Sequence, residues 1–130
     1  MIYLSAAQVL EMHDDQLARF GGTPGGGHRG AAYEGIEAAV QAVKNSYYET
    51  VEELAAAYAV YIIQGHVFAD GNKRAGCAAM LTFLVLNSER LPPAGESFAR
   101  EMIELQRRAE AGARTDALVA GLAALLREAR

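Results

Sequence analysis

Hydrophobic positions along the chain recur at intervals of three and four, and no stretch keeps a period of two. The pattern therefore predicts helices and no sheet. The first helix is expected over residues 5–20. There Val9, Leu10, Met12, His13, Leu17 and Phe20 form a broad, partly apolar face, and Ser5 with Gln8 reads as a capping box. A second helix covers residues 31–45, with Ile36, Ala39, Val40 and Val43 on one side. Thr50 with Glu53 makes another capping box and opens a third helix, 51–64, whose second half, AYAVYII, is apolar all round. A fourth helix, about 73–88, is almost wholly apolar until Asn87. Helices apolar on every side are usually buried. A fifth, from Ser97 to about 111, and a sixth, from Thr115 to about 128, alternate charges with Leu, Ile and Ala, as surface-packed helices do. The expected fold is all-α: a compact bundle of about six helices, built around the third and fourth, with no internal repeat.

Polar stretches interrupt this pattern. GGTPGGGHRG, residues 21–30, holds six glycines and one proline and cannot be a regular element. It reads as a flexible connection or as a lip beside a site. SERLPPAGES, residues 88–97, is a second break. The third interruption, GHVFADGNKRAG at residues 65–76, lies between the two most apolar runs of the chain.

Composition narrows the reading. A chain of 130 residues with 52% apolar and 22% charged residues suits a single globular domain, 1–130. Abundant alanine and few aromatics favour helices packed closely through small side chains. The net charge of −4 argues against direct nucleic-acid binding. The longest apolar run, CAAMLTFLVL, has ten residues and is too short to span a bilayer, so no membrane partner is expected. One cysteine, Cys77, allows no internal disulfide, and the amino-terminal residues lack a basic signal region. A cytoplasmic location follows as the expectation.

The candidate chemistry lies in residues 65–76. Lys73 and Arg74 open the fourth helix, just after Gly71 and Asn72. The first N–H groups of a helix point outward without intrahelical partners and, with the helix dipole, favour an anion. Two cations placed there oppose the dipole by about 0.3–1 kcal/mol each. They make sense if a phosphate occupies the position. His66 is suited to accept a proton near neutral pH. Asp70 is a usual Mg²⁺ carboxylate, Asn72 supplies a neutral amide, and Phe68 would anchor the loop to the core. Each residue alone has an ordinary explanation: a core histidine, a turn, solvated charges. Turn chemistry does not explain the set, which is the equipment of phosphoryl or nucleotidyl transfer. No GxxxxGK[ST] loop is present, the glycines at 21–27 follow a helix instead of a strand, and His13, His28 and His66 lack zinc-ligand spacing. Cys77 reads as a core residue, close enough to the cations to be mildly thiolate-prone.

HVFADGNKR, His66 to Arg74, resembles the HPFxxGNGR signature of Fic-domain proteins, and HxFx(D)(G)NKR is similar to one branch, the Doc (death-on-curing) toxins of type II toxin–antitoxin systems. LSAAQVLEMHDDQLARFGGTPG, Leu4 to Gly25, also resembles the Doc amino terminus, so the likeness covers roughly the first 90 residues and leaves the last 40 unmatched. Two positions depart from the wider Fic pattern: Lys73 replaces a glycine, and Cys77 stands where a second arginine is common. In Doc-like proteins this pattern implies an ATP bound in reverse, with its γ-phosphate at the acceptor. The resemblance thus implies a protein kinase that phosphorylates a threonine of elongation factor Tu and stops translation. It implies ATP and Mg²⁺ as cofactors and His66 as the base. Asp70 would hold the metal, and Gly71, Asn72, Lys73 and Arg74 would bind phosphates. Phe68 would be structural and Arg19 a possible target contact. It also implies a small antitoxin with a disordered tail that folds on binding. No internal inhibitory [ST]xxxE[GN] motif is evident; TVEEL at 50–54 does not fit it. Two other readings stay open: a Fic-type AMP transferase, and a catalytically silent binding module.

Overall fold

The computed structural model describes residues 1–20, 29–65, 67, 72–87 and 96–129. Among them lie six helices and no strand: α1 (Ala6–Phe20), α2 (Arg29–Lys44), α3 (Val51–Gln64), α4 (Asn72–Leu86), α5 (Glu96–Glu110) and α6 (Thr115–Ala129). The all-α expectation holds, with boundaries within two residues of those read from the pattern. No described helix is both long and apolar enough to cross a membrane.

Local chemistry starts the helices as the sequence predicts. Ser5 and Gln8 exchange bonds at α1: the Gln8 N–H donates to Ser5 Oγ (3.2 Å), and the Ser5 N–H donates to Gln8 Oε1 (2.8 Å). Thr50 and Glu53 form the same reciprocal pair at α3. At the other end of α4, Asn87 stops the helix. Its side-chain amide takes up the Phe83 carbonyl (2.9 Å) and also clamps the backbone of Ile2, accepting from its N–H (2.7 Å) and donating to its C=O (3.0 Å). That explains why α4 ends at Leu86, short of the expected 88.

The core is organised along α3. Leu54, Ala55, Ala56, Ala57, Tyr58, Ala59, Val60, Ile62 and Ile63 are all buried. The helix packs most extensively on α4, next on α6, and also on α2 and α5, while α1 covers α4 and α2. Gly76 of α4 meets Ala59 of α3 so closely that a Cβ there would lie 3.0 Å from the Ala59 carbonyl oxygen and 3.3 Å from its Cα. The expected close packing through small side chains is realised at this point. Above it Tyr58 stacks obliquely on Phe83 (5.2 Å between ring centres), and its hydroxyl accepts the Leu4 N–H (3.0 Å). On α2, Ile36, Ala39, Val40 and Val43 are buried, as their spacing predicts.

α6 is more central than its charges suggest. Leu118, Val119, Leu122, Ala123 and Leu126 are buried in a stripe at helical spacing, facing α3. α3 and α6 run antiparallel, since Gln64 meets Thr115 at one end and Arg127 meets Thr50 and Glu52 at the other.

Candidate active site

The chain reaches residues 65–76 from the end of α3. The Gly65 N–H donates to the Tyr61 carbonyl (3.0 Å) and closes the helix. A Cβ on residue 65 would sit 2.7 Å from that same oxygen, so only glycine fits where the chain turns out of α3. Two residues on, Val67 is half-buried and packs against the core. Its Cγ1 lies 3.4 Å from where a Cβ on Gly35 of α2 would be, so the valine seats in the space that the glycine leaves. Pattern reading did not name this anchor; Phe68, the anchor it named, lies outside the described residues. A valine facing a glycine 32 positions earlier leaves no mark in local periodicity.

His66, Phe68, Asp70 and Gly71 lie outside the described residues, as does the glycine-rich stretch 21–28. Arg19 belongs to the last turn of α1, and its side chain also lies outside what is described. The structure describes the far half of the motif. Asn72, expected just before the helix, is the first residue of α4, followed by Lys73 and Arg74. Asn72 and Lys73 are half-buried and Arg74 is exposed. The first turn of α4 holds no acidic residue. Positive helix end, lysine and arginine thus coincide, and nothing acidic in that turn offsets them, an arrangement that attracts an anion.

Cys77 lies one turn after Lys73. Burial of the thiol pushes its pKa above the ordinary value, and the Lys73 charge pulls the other way more weakly. The expectation of a mildly thiolate-prone cysteine is therefore corrected: at neutral pH Cys77 is a protonated, core-lining side chain. Among the described residues no three His, Cys, Asp or Glu side chains converge as a metal cluster. His13 is fully buried in α1.

The sequence model described as the Fic/DOC family matches residues 3–84. The chain belongs to this family. The match runs through α1, α2, α3 and nearly all of α4, so the Fic/DOC unit includes both helices that flank the motif. A curated relative of this Fic/DOC chain, protein kinase doc of Escherichia phage P1, is 37% identical over 89 residues, which cover 67% of this chain and 69% of the relative. α5 and α6 lie beyond the family match.

Proposed function

We propose that this Fic/DOC chain is the toxin of a type II toxin–antitoxin system. It acts as a protein kinase that transfers the γ-phosphate of ATP to a Ser or Thr hydroxyl of a translation factor, with elongation factor Tu as the target the family resemblance implies. The observation that carries the reading is Lys73. It stands with Arg74 in the acid-free first turn of α4, where a Fic adenylyltransferase would have glycine. A side chain of that length adds a charge beside the phosphates and takes space from the nucleotide arrangement that AMP transfer uses. Similarity to protein kinase doc supports the same direction.

In this reading the phosphates lie at the amino end of α4, held by its outward N–H groups, the Asn72 amide and the Lys73 and Arg74 cations. Gly71 lets the backbone approach closely. His66 accepts the proton of the target hydroxyl as its oxygen bonds to the γ-phosphorus. The bond from that phosphorus to the bridging oxygen breaks, and ADP leaves. Asp70, a hard carboxylate suited to a hard cation, would hold Mg²⁺, which supplies charge neutralisation on the phosphates. Arg19 is assigned to target contact. The protein would work in the cytoplasm, without direct contact to nucleic acid, and would be silenced by a small antitoxin whose disordered tail folds on it.

Incubation with γ-labelled and, separately, α-labelled ATP in a translation extract tests the proposal. The γ label is expected on a protein of the extract, and His66→Ala is expected to lower transfer by about 10²–10⁴-fold and to relieve growth arrest. Transfer of the α label alone would replace the kinase with a Fic-type AMP transferase. Growth arrest that persists unchanged in His66→Ala would make binding, not catalysis, the activity.

A further inference from the structure

α5 and α6 lie outside the family match, yet they touch the chain at the point where it leaves α3 for the motif. Gln64 is the last residue of α3, and both ends of its side-chain amide are engaged. Nε2 donates to the Ala113 carbonyl (2.9 Å), and Oε1 accepts from the Thr115 hydroxyl (2.6 Å). Ala113 lies in the turn between α5 and α6, and Thr115 is the first residue of α6. That turn is itself rigidly specified. The Ala113 N–H donates to the Arg108 carbonyl (3.0 Å), and the Gly112 N–H donates to the Ala109 carbonyl (3.1 Å). With Gly112 at φ 87°, these bonds make a Schellman cap, which only a residue free to adopt the left-handed conformation completes without strain.

The need for such a tie is physical. The last turn of a helix lacks onward partners for its carbonyls and opens easily. Here it is followed by Gly65, which restrains the backbone little. Val67 is fixed against Gly35 of α2, whereas the Gln64 amide is tied to Ala113 and Thr115. An amide bridged on both sides to a preformed turn removes that freedom.

We propose that Gln64 is a positioning residue. Through it the α5–α6 turn fixes the end of α3, and so sets where the chain begins the motif that carries His66. The consequence for phosphoryl transfer rests on the kinase reading above; the bracing of α3 does not.

Two near-isosteric variants test this in the full chain: Gln64→Met, which keeps length and packing but removes donor and acceptor, and Thr115→Val, which removes one hydroxyl. Native-state amide exchange is read at Gly65, bonded to Tyr61, and at Leu54, bonded to Thr50 at the other end of α3. In Gln64→Met the Gly65 amide is expected to exchange about tenfold faster with Leu54 unchanged, and Thr115→Val to fall between. Label transfer is expected to lose about tenfold in kcat with the KM for ATP within about twofold, the signature of misplaced groups and not of weakened binding. Equal acceleration at Leu54 and Gly65 would reduce Gln64 to general stabilisation and overturn the proposal, as would an unchanged Gly65. Local loosening with unchanged kcat would overturn the positioning role. If the wild-type protein transfers no label, the kinase reading falls, and the exchange comparison still decides the brace.

Discussion

On the side facing α4, α3 presents Ala59 to Gly76, and the two backbones approach until a single added carbon would touch the Ala59 carbonyl. On the side facing α6, the gap is filled by Leu118, Leu122 and Leu126, large side chains that can repack. The first face lies inside the Fic/DOC match and the second outside it. One sets a distance between two backbones, and that distance places the amino end of α4 relative to the end of α3. The other excludes water from a helix that is apolar all round and has to be covered by something. A face that sets geometry tolerates no added volume. A face that only covers tolerates changes that keep volume. The Gln64 bridge is the exception on the α6 side, because there a polar contact of fixed geometry adds position to cover.

The contrast can be broken most severely at Gly76. Gly76→Leu drives a side chain into backbone atoms that cannot move aside, at about 3 kcal/mol or more. We expect no cooperative thermal transition and no label transfer. A variant that melts normally would mean that the α3–α4 spacing is adjustable. Leu122→Ala attacks the covering face. It should cost about 2–5 kcal/mol in urea denaturation, toward the lower end if Leu118 and Leu126 close the gap. Its kcat, measured well below the melting temperature, should stay near wild type. A fall in kcat matching that of Gln64→Met would erase the distinction between the two faces.

The smallest effect sharpens the dry character of the α4 side. Burial pushes the Tyr58 hydroxyl from an ordinary 10.0 up to about 12. The folded state thus favours the protonated phenol. Its contribution is complete below about pH 10 and is lost as pH rises toward about 12, because the unfolded chain ionises first. Tyr48 and Tyr61 are also shifted upward by burial and share in the loss. Urea midpoints at pH 9 and pH 11.5 should therefore fall in the wild type and fall less in Tyr58→Phe (roughly one proton less of pH dependence). At neutral pH that variant should be about 1 kcal/mol weaker, because the Leu4 N–H loses its acceptor. An unchanged slope would place Tyr58 in contact with water.

Much of the scaffold could be read in advance. The capping boxes at Ser5 and Thr50, the buried spacing of α2 and the all-apolar run in α3 are local features, complete within a few residues, and each appears where the pattern puts it. The cationic start of α4 was equally legible, because its oddity is a matter of adjacent residues. The long-range polar ties were not. Asn87 reaches Ile2 across 85 positions, and Gln64 reaches Ala113 and Thr115 across 49 and 51. Each involves a residue whose type is unremarkable where it stands. The behaviour of Cys77 was misjudged for a related reason. Sequence shows the neighbouring Lys73, but only packing shows that burial outweighs it.

By itself, then, the chain determined its helices, its buried central pair and the chemical character of residues 66–74, because periodicity, caps and charge act over a turn or two. The tertiary structure alone decided how close α3 comes to α4, that α6 completes the core, and that Gln64 joins the end of α3 to a turn beyond the family match. Those outcomes depend on which distant surfaces meet, and no local pattern encodes the meeting.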